Sequence, residues 1–192
     1  MQEEELQTIH EKANKRYGEA QAKHILYAAI YAQKSHEGQT RKTGEEYITH
    51  PLNVAKKLLE TTDKRITPTT IIAALLHDTL EDTKTTSKQL EKHFGRDVTR
   101  IVQALTKTKN PENKQEEDKQ YHKQLQEETK TNPQVGIIKL ADVIDNSQDM
   151  NVYTKKRKQQ RTQHLTTMYK PLSKQLRIYE KEIQELEERY EE

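Results

Sequence analysis

The run Ile71-Ile72-Ala73-Ala74-Leu75-Leu76 is apolar on every face of a helix and is followed at once by His77-Asp78 and then by Glu81-Asp82. A helix with no polar face has to pass through an interior. The chain must therefore wrap other elements around this segment, and the polar residues at its end must emerge together at the mouth of the core. With 31% hydrophobic residues against 33% charged, a single core organised on this segment is expected. A length of 192 residues suffices for one such domain with a cleft and without disulfide staples.

The rest of the chain reads as helix. Glycine and proline number only five each, and stretches rich in Glu, Lys, Gln, Leu and Ala show three-to-four spacing in place of alternation. Helices are expected at about 4–16, 20–36, 51–61, 68–80, 86–93, 96–107, 115–130, 134–150 and 153–190, the last broken at Pro171. The fold class is all-α. Pro51 and Pro68 stand at first-turn positions, with Thr49 or His50 and Thr67 before them as caps. Glu37 to Thr49, containing Gly38 and Gly44, is a loop. Lys107 to Lys119 is almost wholly polar, and a mobile flap or linker is expected there.

Composition excludes several classes. A formal net charge of +2 leaves no global basic field for nucleic acid, so any attraction for phosphate is local. The absence of cysteine excludes disulfides, thiolate metal sites and a cysteine nucleophile. Met1 to Glu11 is acidic, with no signal-peptide core, and no stretch has the ~20 apolar residues of a membrane span. A soluble cytoplasmic protein is expected.

The chemistry is carried by His50, by His77-Asp78 and by Asp142. They supply two imidazoles and two carboxylates from three separate segments, ligand types that hold a divalent metal while leaving positions for water and phosphate. The i,i+4 relation sets His77 over Glu81 and Asp78 over Asp82, on neighbouring faces of one helix. In the helix beginning near Val135, the apolar body of Val135, Ile137, Ile138, Leu140, Ala141 and Ile144 is interrupted by Asp142, Asp145, Asn146 and Asp149. Acids so closely mixed with Ile and Val mark the lining of a site more often than a solvated face. Gly136 lets this helix approach a neighbour closely.

Read in order, Ser35-His36-Glu37-Gly38-Gln39-Thr40-Arg41-Lys42-Thr43-Gly44-Glu45-Glu46-Tyr47-Ile48-Thr49-His50-Pro51, then Ala73 to Asp78, Glu81-Asp82-Thr83, Phe94-Gly95 and Ile138-Lys139-Leu140-Ala141-Asp142 resemble the HD-type hydrolase domain of RelA/SpoT proteins. In size the chain is similar to the family's stand-alone hydrolases, the metazoan SpoT homologue and bacterial small alarmone hydrolases. The resemblance implies an HD-domain helical bundle. It implies manganese-dependent removal of the 3′-pyrophosphate of the alarmone (p)ppGpp, one metal ion per chain, with degradation and no synthesis. It makes His50, His77, Asp78 and Asp142 the metal ligands and Glu81 and Asp82 the acidic pair that handles the attacking water. Arg41, Lys42, Lys139 and Asn146 become substrate-binding positions.

Two residues depart from the family segment Lys-Leu-Ala-Asp-Arg-Leu-His-Asn: Val143 stands in place of its Arg and Asp145 in place of its His. A carboxylate at Asp145 pointing inward would repel a polyphosphate, and Asp149 raises the same question. The alternative substrate is another nucleotide or a phosphorylated nicotinamide cofactor. A binding module with a disabled site would have lost a ligand or the Glu-Asp pair, and all are present. His36 reads as a hydrogen-bonding residue, and His10, His24, His93, His122 and His164 as surface or structural ones. From Leu165 onward, Leu165, Tyr169, Leu172, Leu176, Tyr179, Ile183, Leu186 and Tyr190 form a heptad seam. The expected division is a catalytic domain over 1–170 and a long seam helix over 171–192. That helix packs on its own domain or pairs with a second copy as a homodimer.

Overall fold

The computed structural model describes residues 2–107, 114–148 and 153–191. Its helices are α1 (Gln2–Tyr17), α2 (Glu19–Ser35), α3 (Thr49–Glu60), α4 (Pro68–Leu76), α5 (Thr79–Asp82), α6 (Ser87–Leu105), α7 (Lys114–Thr131), α8 (Pro133–Asn146), α9 (Lys155–His164), α10 (Lys170–Leu176) and α11 (Glu180–Glu191). No strand occurs among the described residues; a single bridge, Thr40 with Glu46, closes the loop after α2. No helix among them is long and apolar enough to cross a membrane.

The apolar α4 lies at the centre, with Ile71 to Leu76 all buried, and packs against α2, α3, α6 and α8. Its start follows the expectation: Thr67 caps it through a reciprocal box with Thr70, and Pro68 sits in the first turn, where a missing N–H costs nothing. Its end does not. The helix stops at Leu76, and α5 begins at Thr79. His77 folds back, its Nδ1 2.7 Å from the carbonyl oxygen of Ala74. The chain turns through His77 and Asp78, so two adjacent residues that would diverge on a continuous helix point to one centre.

Elsewhere the corrections are local. Helix α3 begins at Thr49, with Ile48 before it and no side-chain cap, so neither Thr49 nor His50 caps it and His50 lies in its first turn. Helices 86–93 and 96–107 join as α6 across Gly95, whose φ of 82° breaks the helical run. Helix α8 opens with the Asn132 side chain accepting from the Gln134 N–H and ends at Asn146, so the reading of Asp149 lies outside the described residues. Of the polar stretch 107–119, positions 108–113 also lie outside them, and the chain is helical from Lys114. A Cβ on Gly136 would stand 2.7 Å from Thr129 Cγ2 and 2.8 Å from Leu176 Cδ1, which is why α8 needs glycine where it meets α7 and α10.

The expected single C-terminal helix is broken, but not at Pro171. A π-helical turn over Leu165–Tyr169 precedes α10, and Pro171 sits in the first turn of α10. The wider turn absorbs the missing proline N–H. The break falls at Arg177, left-handed at φ 52°. Leu165, Tyr169, Leu172, Leu176, Tyr179, Ile183 and Leu186 are all buried in the chain's own core.

Candidate metal centre

Three elements meet at the end of α4. The first turn of α3 brings His50, the turn between α4 and α5 brings His77 and Asp78, and α8 brings Asp142. His50 Nε2 lies 3.2 Å from His77 Nε2, 3.1 Å from Asp142 Oδ1 and 3.6 Å from Asp78 Oδ2. His77 Nε2 lies 3.1 Å from Asp78 Oδ2 and 3.8 Å from Asp142 Oδ1. Donor atoms held about 2.1 Å from one cation at right angles stand roughly 3 Å apart. The spacing of His50, His77 and Asp78, whose ligand atoms all lie within 4.8 Å of one another, therefore suits a shared ion, with Asp142 beside the two imidazoles.

The tautomers agree with that use. His77 Nδ1 faces the Ala74 carbonyl, and His50 Nδ1 lies 2.6 Å from Asp145 Oδ2. Both acceptors hold the ring proton on Nδ1 and turn the Nε2 lone pair toward the centre, the arrangement in which imidazole ligates. The cluster attracts positive charge. Burial opposes the charged form of His77, yet Asp78 and Asp142 outweigh it and raise its pKa well above the ordinary value; His50 is raised likewise against its own burial, by Asp142 and Asp145. Burial resists ionisation of Asp78, but His77 and His50 hold its carboxyl below the usual range. Protons on the imidazoles or a divalent cation would satisfy the same field.

Around the four donors stand further contacts. Tyr47 donates its hydroxyl to Asp78 Oδ2, and its ring stacks on buried His36 at 4.6 Å. Asp142 accepts from Lys139 Nζ at 2.7 Å through Oδ2 and from Asn146 through Oδ1. Asp145, which reads from the sequence as a source of repulsion, is buried and neutralised: its Oδ2 also accepts from Arg41 Nη1 at 2.8 Å. Arg41 thus lies against α8 with its side chain 7% exposed, and Lys42 lies over the Tyr153 ring at 4.9 Å. Glu81 is half-buried and accepts the Lys107 N–H at 3.1 Å. Burial, then the charges of Asp78 and Asp82, push its pKa up against that bond. Asp82 is exposed, in a groove it shares with Glu81.

Two hollows flank Asn146. One of about 160 Å³ is lined by Arg41, Lys42, Tyr47, His50 and Tyr153. The other, of about 210 Å³, runs from Asp142 and Lys139 to His122, Arg157, Arg161 and His164. His122 and His164 were expected to be surface or structural residues. They line this second hollow, rings edge-on at 4.7 Å. Their 42-residue separation gave no sequence signal, and neither did the roles of Tyr47 and Asp145.

Comparison with known proteins places this arrangement. The HD domain family matches residues 28–179. The guanosine-3′,5′-bis(diphosphate) 3′-pyrophosphohydrolase of Aquifex aeolicus is 39% identical over 158 residues, 82% of this chain and 22% of that protein. The bifunctional (p)ppGpp synthase/hydrolase SpoT of Escherichia coli is 34% identical over 173 residues, 88% of this chain and 24% of that protein. The chain thus spans less than a quarter of the length of these curated relatives. Among solved structures, a metazoan SpoT ortholog described as hydrolysing ppGpp superposes with a TM-score of 0.68 at 30% identity, over 86% of this chain and 94% of that one. A Listeria monocytogenes protein shares the fold at a TM-score of 0.54 and 22% identity, over 76% of this chain and 98% of its own. The chain belongs to the HD-domain family, as a relative of the SpoT-type proteins.

Proposed function

We propose that this chain is a manganese-dependent 3′-pyrophosphohydrolase of (p)ppGpp that yields GDP or GTP and pyrophosphate. The observation that carries the reading is the meeting of His50 Nε2, His77 Nε2, Asp78 Oδ2 and Asp142 Oδ1, with both Nδ1 atoms already committed to acceptors. The relatives named for this activity, one of them matched along nearly its whole length, support the substrate. A mixed set of two imidazoles and two carboxylates suits manganese, between the purely oxygen and the sulfur-rich preferences.

A divalent cation in this site would supply Lewis acidity toward the phosphate and acidify the attacking water. The chain's own residues do the rest. Glu81, whose burial and acidic neighbours favour the protonated form, is suited to taking a proton from that water; Asp82 beside it helps position the water. Lys139 and Asn146 hold Asp142 and offer donors to phosphate at the edge of the site. Arg41, fixed by Asp145, lines the hollow it shares with Tyr153 and would form one wall for the purine, and Lys42 adds a point charge there. With Asp145 neutralised by Arg41, the charge that argued for a less anionic substrate is gone.

The test is release of pyrophosphate from ppGpp with Mn²⁺, beside Asp78→Asn and Glu81→Gln variants and a panel including NADPH and ordinary nucleotides. The reading expects GDP and pyrophosphate from the wild type and no turnover by Asp78→Asn. Cleavage of another nucleotide while ppGpp survives would overturn the substrate assignment.

A further inference from the structure

The hollow beyond Lys139 holds more positive charge than the metal chemistry uses. Arg161 stands 4.6 Å, Arg157 5.2 Å and Lys42 4.9 Å from the Tyr153 ring centroid. Three cations therefore gather on one aromatic ring. Lys139 and Lys107 are already paired, with Asp142 and Asp118. Among the described residues, Lys42, Arg157 and Arg161 have no carboxylate partner; Arg161 donates only to the backbone oxygen of Asn146, at 2.8 Å. Tyr153 lines the hollow on the Arg41 side, while Arg157 and Arg161 line the one on the Lys139 side. The cluster thus bridges the two, next to Asn146, and His164 extends it inward. Like charges brought this close, with no acid paired to them among the described residues, repel one another, and the side chain of Lys42 has its pKa pushed down by burial and by both arginines. An anion with several oxygens spanning the pair would relieve that repulsion and collect charge-assisted hydrogen bonds from guanidinium forks.

We infer that Arg157 and Arg161, flanked by Lys42 and Tyr153, form a second phosphate subsite that takes the 5′-diphosphate of a guanine nucleotide whose 3′ end lies at the metal centre. The inference rests on the proposed alarmone reading for its substrate, because that class of nucleotide carries two separate diphosphates and the metal centre acts on one. The subsite makes the number of 5′ phosphates a determinant of affinity.

Binding tests it without turnover. Titration calorimetry of the metal-free chain with guanosine, GMP, GDP and inorganic pyrophosphate should show GDP binding tighter than guanosine. Arg157→Gln should weaken GDP about 10-fold, and the Arg157→Gln/Arg161→Gln pair about 10- to 100-fold, with guanosine unchanged. Arg157 is exposed and makes no side-chain hydrogen bond to the rest of the chain among the described residues. Its single substitution therefore keeps the test clear of folding, which the thermal midpoint checks. Equal affinity for GDP and guanosine, or a GDP preference untouched by the arginine variants, overturns the subsite even if ppGpp is hydrolysed. A preference for pyrophosphate alone that the variants abolish also overturns it, by assigning the cluster to the leaving group. If GDP discrimination depends on the arginines while ppGpp is not cleaved, the subsite stands and the alarmone reading falls.

Discussion

Asp145 carries the most specific expectation. Its Oδ2 takes both the His50 Nδ1 contact at 2.6 Å and the Arg41 Nη1 contact at 2.8 Å, inside a pocket that leaves the residue 4% exposed. Asp145→Ala removes the acceptor that fixes the His50 tautomer and ring angle, and strips a buried guanidinium of its counter-charge. Loss of an outer carboxylate from a ligating histidine lowers metal affinity by about 10- to 100-fold, equivalent to about 1.4–2.7 kcal/mol. Asp145→Asn leaves a carbonyl oxygen able to occupy the Oδ2 position and accept from both partners. A neutral acceptor gives roughly half the strength of a charged one, so the loss there should be several-fold smaller. The assay is Mn²⁺ titration of the purified chain against a competing chelator at one pH, with circular dichroism to confirm folding. The order wild type, Asn, Ala in descending affinity is expected. Unchanged Mn²⁺ affinity in folded Asp145→Ala would refute the orienting role. Unchanged metal affinity with weakened nucleotide binding would show that Asp145 serves Arg41 alone.

Three further expectations follow from the same contacts. His50 and His77 have raised pKa values in the metal-free chain and must be neutral to ligate. Mn²⁺ binding should therefore release protons and weaken as pH falls, already from above 6.5; calorimetry in buffers of different ionisation enthalpy reads this, and binding heats independent of the buffer would contradict it. His122 has its pKa lowered to about 4 by burial and by His164. The unfolded chain takes up that proton near 6.5, so the stability this group contributes is complete above 6.5 and declines as pH drops toward 4. Urea midpoints measured from pH 7.5 to 5 should fall less steeply in His122→Gln, and parallel slopes would count against the assignment. Gly136→Ala gains about 1 kcal/mol of helix propensity but drives a methyl into Thr129 and Leu176, an overpacking cost of about 1–3 kcal/mol. A lower thermal midpoint is expected, and a raised one would mean that α7 and α10 yield freely.

How far the sequence could be read depended on whether the information was local. The α4 run, the Thr67-Pro68 start and the interruption at Gly95 are each encoded within a few residues, and the structure follows them. The break after Leu76 was not legible, because helix propensity continues through His77 and the contact that ends the helix is made by the folded-back imidazole itself. Pro171 was misread since a π turn before it, formed by tertiary packing of Leu165, Met168 and Tyr169, has no sequence signature. Asp145 was read on its own helix, where it is one acid among several. Its meaning comes from His50 and Arg41, 95 and 104 residues away, and no periodicity reports that.

Under the proposed function, the buried charges would let one small site accommodate both a dication and a polyanion. Asp78, Asp142 and Asp145 are set beside two cations, Arg41 holding Asp145 and Lys139 holding the far oxygen of Asp142. With both imidazoles neutral, as ligation requires, that inner group carries one excess negative charge, which favours loading of a divalent cation. With the cation in place, the balance turns positive by one, in surroundings where screening by water is weak. Lys42, Arg157 and Arg161 stand just outside. On the proposed reading, the same set of residues would draw in the metal first and a phosphorylated ligand second. Replacing the family histidine by Asp145 does not set the chain against polyphosphate, because the added negative charge arrives with Arg41 already bound to it.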